Sequence, residues 1–284
     1  MTIRTLRRIA AAALLLCAAL PACAQQAGAA APIAVQMYTL RNIESLEERV
    51  RIVHDAGVRA VETVGTQDVS ASELKQLLDR YSIRPIAAHV ALSELRRDLD
   101  GAADFHAAIG NTVLVVPWLE EADRPADAEG WRALGAELGG YAARLAARGM
   151  RLAYHNHDFE LAEFDGRTAL DLIFEGAGPA LLLELDLAWV ARADRDPVAL
   201  LEQYQGRVFA VHAKDNAAPG EGAEEWGFAA LGQGVLDWEA ILPAAARAGT
   251  QWYIIEHDHP LDPAAVVATG AAYLGERLAA GEGL

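Results

Sequence analysis

Cysteine is nearly missing from this 284-residue chain, and both copies, Cys17 and Cys23, fall in its first stretch. Everything after them therefore has no intramolecular disulfide, no thiol nucleophile and no thiolate metal site, so its stability has to come from a packed core. Basic charge is also short: 24 Lys and Arg stand against 40 Asp and Glu, a formal charge of -16. That balance disfavours nucleic acid, whose phosphates are bound by releasing counterions to basic side chains. No Pro/Gly/Ser-rich linker divides the chain, which makes one large core the simpler account. No glycine fingerprint follows the first strand and no Gly-rich phosphate cradle or basic cluster is evident, which counts against a dinucleotide fold and against phosphorylated substrates.

Long apolar runs are absent too. Ile9 to Leu20 spans 12 residues, too few to cross a bilayer, but Arg4, Arg7 and Arg8 precede it, the pattern of a secretory signal. Two processing sites compete. Ala22-Cys23-Ala24 reads as a small-x-small cleavage site before Gln25, and Leu20-Pro21-Ala22-Cys23 resembles a bacterial lipoprotein signal with Cys23 lipidated. The expectation is a signal over residues 1–24, a flexible lead over 25–31 and a single domain over 32–284. The product is then exported, periplasmic or lipid-anchored to the envelope, its lipid being the one membrane attachment. Without the three leader arginines, 21 basic residues face 40 acidic ones, or -19.

What is present is an alternation of apolar runs with amphipathic segments. Strands are expected at 32–38, 58–64, 83–90, 112–118, 151–157, 181–186, 206–212 and 251–256. Helices follow each, at 43–56, 70–81, 91–109, 130–148, 166–176, 196–204, 236–248 and 260–279. Ser70 with Glu73 three residues on predicts a capping box. Nearly continuous apolar strands mark a parallel sheet covered on both faces. Eight such units in about 250 residues predict an α/β (β/α)8 TIM barrel.

In such a barrel the carboxyl ends of all strands meet over one face. Arg151-Leu-Ala-Tyr-His-Asn-His-Asp-Phe-Glu160 ends its strand in histidines and acids, and three later strands end in Asp186, His212 and Glu256. A strand's side-chain period of two puts Ala153, His155 and His157 on one face, Glu184 with Asp186, and Ala210 with His212 and Lys214. His155, Asp186, His212 and Glu256 are thereby brought together. Charged groups at the ends of apolar strands must be paired or coordinated if buried, and a centre of imidazole nitrogen and carboxylate oxygen without sulfur suits a divalent ion such as Mn²⁺, Zn²⁺, Co²⁺ or Fe²⁺ better than Cu(I) or Mg²⁺.

The segments Val35-Gln-Met-Tyr-Thr-Leu-Arg41, Tyr154-His-Asn-His-Asp-Phe-Glu160, Glu184-Leu-Asp-Leu-Ala-Trp189, Gly206 to Asp215, Leu231-Gly-Gln-Gly-Val-Leu-Asp-Trp238 and Ile255-Glu-His-Asp258 resemble the xylose-isomerase-like barrel superfamily. The likeness is to its sugar phosphate isomerases and epimerases, a group that includes inosose dehydratases and enzymes acting on 3-keto-glycosides. It implies one divalent ion, Mn²⁺ first, held by Asp186, His212, Glu256 and a fifth-strand residue. Many members have Glu at that fifth-strand position; here His155 is the candidate and Glu160 its rival, with Glu160 otherwise assigned to the substrate. It also implies proton abstraction beside a carbonyl of a carbohydrate, through an enediolate. His157 is the first candidate base, and Glu256 or Glu160 are alternatives.

Return of the proton to another carbon gives isomerisation, return to the opposite face epimerisation, and loss of a β substituent elimination. Export favours a free sugar or oligosaccharide derivative, so a lyase or hydrolase of 3-keto-glycosides stands beside the isomerase reading. A non-catalytic exported sugar-binding barrel and a phosphodiesterase of the DNA-repair endonuclease branch are the competing classes; the acidic surface and signal oppose the latter. Further substrate candidates are Glu62, His89, Lys214, Trp118 and Trp189. Lys214 could instead neutralise Glu184, and the tryptophans could simply pack. His54 and His106 are expected in helices, and Gly232 and Gly234 in a turn. The oligomeric state is open. Expressed with its own N-terminus in a bacterial host, the chain should be recovered outside the cytoplasm beginning at Cys23, lipidated, or at Gln25; intact mass showing Met1 and a cytoplasmic location would contradict this.

Overall fold

The computed structural model describes residues 31–281, so the expected signal, Cys23 and nearly all of the flexible lead lie outside the described residues. Eight parallel strands close into a barrel in chain order, with the last pairing to the first. They are β1 Ile33–Gln36, β2 Ala60–Val64, β3 Arg84–His89, β4 Val113–Val116, β5 Arg151–His155, β6 Leu181–Asp186, β7 Val208–Ala213 and β8 Trp252–Ile255. Around them run α1 Leu46–Asp55, α2 Ala71–Arg80, α3 Leu92–Ala108, α4 Ala128–Ala146, α5 Ala169–Ala177, α6 Leu187–Arg192, α7 Pro197–Gln203, α8 Trp238–Ala248 and α9 Pro263–Ala279. The expected (β/α)8 architecture is therefore present, and α2 starts with the Ser70/Glu73 capping box. Among the described residues no helix is long and apolar enough to cross a membrane.

Alternation along each strand divides the core in two. Leu181, Leu183 and Leu185 of β6, with Val35, Val61, Leu152, Tyr154 and Val211, pack outward against the helices. Half of the inner cluster, which also holds Ile86, Val113, Val115 and Phe209, is alanine: Ala34, Ala60, Ala87, Ala153 and Ala210, beside Ile254. Each of these lies two residues before a polar side chain, respectively Gln36, Glu62, His89, His155, His212 and Glu256. By the period of two, the polar group occupies the next position on the same inner face. A floor of small residues leaves room above it for a crowded layer of imidazoles and carboxylates.

Register brings these groups into adjacency. Gln36 pairs with Glu62, Val64 with His89, His155 with Glu184, and Asp186 with His212. The pairing shifts between Val61 and Glu62 and between Leu183 and Glu184, just before the glutamates at the barrel's centre. Such irregularities re-aim a side chain.

Three features differ from the sequence pattern. Strand β1 ends at Gln36, followed by a 3-10 turn, Met37–Leu40. Strand β5 ends at His155, leaving His157 in the loop. Helix α6 begins immediately after β6, with the Asp186 side chain accepting from the Trp189 amide at 2.9 Å; six residues are too few to display a helical period. The loops carry two small antiparallel hairpins, Glu163–Phe164 with Arg167–Thr168 and Asp215–Asn216 with Phe228–Ala229. Helices α4 and α5 approach backbone to backbone: a Cβ at Gly135 would stand 2.2 Å from the Ile173 carbonyl oxygen, and one at Gly176 2.1 Å from that of Arg132. Alanine would ordinarily favour a helix, but overpacking dominates at these distances.

Candidate metal centre

The polar layer is organised by one carboxylate. Glu184, fully buried on β6, has its Oε1 at 2.8 Å from His89 Nε2, 3.0 Å from His212 Nε2 and 3.5 Å from His155 Nδ1. Glu62 supports it from β2, its Oε2 at 3.1 Å from His212 Nε2 and 3.3 Å from His89 Nε2, and it accepts from Gln36 Nε2 at 2.7 Å. The other nitrogens of two of these rings face the opposite way. His155 Nε2 lies 3.9 Å and His212 Nδ1 3.6 Å from Asp186 Oδ2. Both His212 Nδ1 and Asp186 Oδ2 are buried with no hydrogen-bond partner, although Lys214 Nζ stands at ion-pair distance from that oxygen, 2.9 Å.

Lys214 is the hub of the rim. Its ammonium contacts Asp186, Glu256 Oε2 at 2.7 Å, and Asp258 in a very short ion pair. The expected pairing of Lys214 with Glu184 is thus replaced by Asp186, Glu256 and Asp258. Asp258 lies in the loop beyond β8, where strand periodicity does not reach, so its partnership with Lys214 is visible only in the structure.

Electrostatics follow from burial and these contacts. Burial opposes charge on His89 and His212, but Glu62 and Glu184 outweigh it, raising His89 to about 9 and holding His212 well above the ordinary imidazole range. His155 goes the other way, lowered to about 4 by burial and the neighbouring His212 charge. Burial also resists ionisation of Asp186, yet the Lys214 charge and the nearby His212 imidazole keep it below the usual carboxylate range. Burial and the Asp258 charge raise Glu256 to about 7. His157 is held well below its usual value by burial and then the His155 charge, which leaves it a neutral imidazole.

A cavity of about 610 Å³ opens above this layer, with His89, His155, His157, His212, Trp118 and Trp189 among its walls. Trp118 meets the His157 ring edge-on at 4.7 Å between centroids, and Trp189 lies 5.3 Å from it. Glu256 and Asp258 also line the cavity. Three sequence candidates lie elsewhere, Lys214 among them, buried against its three carboxylates. Glu62 is fully buried beneath the histidines rather than at the surface of the cavity. Glu160 is turned away: Tyr154, on the outward face of β5, donates to its Oε1 at 2.6 Å, and the His157 amide donates to its Oε2 at 2.8 Å. The short helical turn Phe159–Leu161 causes this. The geometry sets Glu160 apart from all three roles expected of it, ligand rival, substrate contact and alternative base, and makes it a buried brace for the β5 loop.

Sequence reasoning gave Glu184 no role at the metal, since a carboxylate inside an apolar strand reads as the partner of a nearby lysine. Asn156 went unnoticed as well; its side chain accepts from the Asp186 amide at 3.0 Å and so joins the ends of β5 and β6. Asp215 ties down the long loop after β7, accepting from the amides of Gly232 and Leu236 at 3.1 and 2.9 Å and from Trp238 Nε1 at 3.2 Å. Gly232 and Gly234 belong to that loop as expected, and a Cβ at Gly234 would strike the Asn216 carbonyl oxygen at 2.2 Å. His106 packs in α3, buried.

Among the described residues, two groups of side chains can gather donor atoms around a divalent ion: His89, His155, Glu184 and His212, and, sharing His212, Asp186 and Glu256. All donors are nitrogen or carboxylate oxygen, the set expected for such an ion. His155 Nε2 lies 3.9 Å from Asp186 Oδ2 of the second group. There the unpartnered Nδ1 of His212 and Oδ2 of Asp186 face each other, while Glu184 orients both imidazoles from behind, the usual relation between a ligating histidine and its supporting carboxylate.

The fold and this centre define a class. The profile of the xylose isomerase-like TIM barrel family matches residues 50–277, and the chain belongs to that family. It is 26% identical over 280 residues to the rhizopine catabolism protein MocC of Rhizobium meliloti, covering 84% of this chain and 85% of that protein. A sugar phosphate isomerase/epimerase structure from Parabacteroides distasonis superposes with a TM-score of 0.73 at 20% identity, over 87% of this chain and 94% of the other. The structure of IOLI protein with a bound zinc atom gives 0.67 at 16%, over 89% and 98%. At those identities the two structural likenesses speak to the fold.

Burial raises Glu160 to about 7 against the opposing hydrogen bonds from Tyr154 and His157. Its folded pKa therefore exceeds the unfolded value of about 4.3. The stability this group contributes is present below that unfolded value and lost as pH rises through about 7. Between pH 5 and 8, wild type should lose about 2–3 kcal/mol of unfolding free energy relative to Glu160→Gln. Equal pH dependence in the two proteins, by urea unfolding, would contradict the assignment.

Proposed function

We propose that this protein is a divalent-metal-dependent isomerase or epimerase of a free sugar or sugar derivative, working by proton abstraction beside a carbonyl. One observation carries the reading: His155 Nε2 and His212 Nδ1 converge on Asp186 Oδ2 while their other nitrogens rest on the single carboxylate of Glu184. His155, Asp186, His212 and Glu256 would hold the ion, with Mn²⁺ the first choice and Zn²⁺, Co²⁺, Fe²⁺ or Mg²⁺ the others. When bound, such an ion acts as a Lewis acid that polarises a carbonyl and makes the adjacent C–H more acidic. The name of the Parabacteroides relative, a sugar phosphate isomerase/epimerase, supports the sugar isomerase/epimerase part of this reading.

The chain's own groups have distinct tasks. His157 overlooks the cavity as a neutral imidazole, with its Nδ1 buried and unpartnered, and serves as the base that takes the proton. Glu256, on the cavity wall, is the alternative base. Lys214 balances the three rim carboxylates and keeps their burial tolerable. Trp118 and Trp189 flank His157 and present apolar faces to a sugar ring. The same abstraction with loss of a β substituent would make the protein a lyase, and the size and aromatic walls of the cavity favour a glycoside for that outcome. Export, by either processing route, is proposed on the leader residues alone and fits unphosphorylated substrates.

Purified mature protein should contain one divalent ion per chain, and it should exchange the proton beside the carbonyl of a ketose, inosose or 3-keto-glycoside in D₂O. Chelation should abolish that exchange. His155→Ala should lose the ion, Glu184→Gln should bind it 10- to 100-fold more weakly, and Glu160→Ala should retain it. Absence of bound metal, with exchange indifferent to chelator, would sink the proposal.

A further inference from the structure

Among the described residues the exposed large aromatic side chains are Tyr38, Trp118 and Trp226, and all three line the cavity above the metal centre. Trp226 is the most open of them, 56% exposed. It lies far from the strand ends in sequence, on the acidic and Gly-rich loop after β7, where nothing in the local pattern distinguishes it from a solvated residue. Its placement is nonetheless tightly determined. The backbone takes the left-handed conformation, φ 57° and ψ 26°, which is uncommon for a bulky residue. The Trp226 carbonyl oxygen accepts from Arg192 Nη2 at 2.6 Å, and the neighbouring Glu225 side chain accepts from the Leu261 amide at 2.9 Å. Behind the indole, the His259 ring lies parallel to it, 4.3 Å between centroids and 2° between planes.

These contacts connect the tryptophan to the centre itself. Arg192 closes α6, the helix capped by Asp186, and its guanidinium also covers Phe228 at 3.5 Å and bonds Asn216. His259 follows Asp258, a partner of Lys214. One face of the indole is backed by His259, so its exposure falls on the rest of the ring. Tyr38 is built alike, with the Arg41 guanidinium over its ring at 3.8 Å. Residues held in unfavourable backbone conformations by several contacts cluster at ligand-binding sites. The cavity, about 610 Å³, is in the size range of pockets for drug-sized ligands.

We propose that Trp226, backed by His259, is the platform of a second-ring subsite: the substrate carries one sugar ring at the metal centre and a second ring, sugar or aryl, that lies on the exposed indole. The proposal rests on the carbohydrate reading above and narrows it to disaccharides and glycosides. Sugar rings present flat patches of C–H that match an aromatic face, and the apolar rim supplies contact without prescribing hydrogen bonds to the second ring. Sequence alone could not reach Trp226, since its relation to the site is made by the hairpin and by Arg192.

The test compares the metal-loaded protein's affinity for cellobiose and phenyl β-glucoside with that for methyl β-glucoside, by calorimetry, in wild type, Trp226→Phe and Trp226→Ala. Wild type should prefer at least one of the two-ring probes by roughly three- to tenfold, and which one reveals whether the second ring is sugar or aryl. The preference should shrink in Trp226→Phe, which keeps a ring, and vanish in Trp226→Ala; metal content and unfolding midpoint establish that each variant is folded. A wild-type preference near one, or a preference unchanged in Trp226→Ala, overturns the subsite. Proton exchange by wild type on a single-ring ketose is run alongside. If exchange occurs and the preference is absent, the subsite alone fails; if metal and exchange are both absent, the carbohydrate reading fails with it.

Discussion

The burial of Glu184 is the constraint on which the rest depends. A carboxylate removed from water inside a barrel costs several kcal/mol unless it is closely compensated. Here three imidazoles, from β3, β5 and β7, provide that compensation. Burial raises its pKa, but the His212 charge and the three imidazoles close around it hold it well below the usual carboxylate range. Fixing Glu184 in its charged form fixes which nitrogen each ring turns toward it, and therefore which nitrogen is left for Asp186. The donor geometry at the rim is thus set from below.

The barrel makes this arrangement possible through small residues rather than through added polar groups. Five alanines on the inner face lie one step beneath the layer, and shifts in strand register precede both central glutamates. Above the layer, Lys214 links Asp186 on β6 to Glu256 and Asp258 beyond β8. Opposing charges are therefore stacked in two tiers, imidazoles around Glu184 below and carboxylates around an ammonium above. His212 participates in both, which makes it the residue whose loss should disturb most.

Much of this was legible in the sequence because a barrel strand writes its ends plainly. His155, Asp186, His212 and Glu256 each close an apolar run, and four such ends meeting on one face of a barrel point to a shared polar centre. The eight repeats and the parity of Ala153, Ala210 and Glu184 followed from the same period. What escaped notice was made by non-local geometry. Glu184 resembles a partner for Lys214 until β3 supplies His89. Glu160 sits in a loop whose helical turn directs it outward to Tyr154, and strand periodicity says nothing about a side chain beyond the strand. Helix α6 is too short to show its period, and register shifts leave no trace in a single sequence. Trp226 is separated from the metal strands by a loop whose composition indicates only solvent.

The central claim is that the ion belongs to the upper donor group, with Glu184 supporting it from beneath. Crystals grown with Mn²⁺ and measured for anomalous scattering test that claim most directly. The account predicts one peak, within coordination distance of His155 Nε2, His212 Nδ1, Asp186 and Glu256, with Lys214 displaced from at least one of the two carboxylates. A peak coordinated by Glu184 and His89 instead, or no peak at any of these residues, would contradict it.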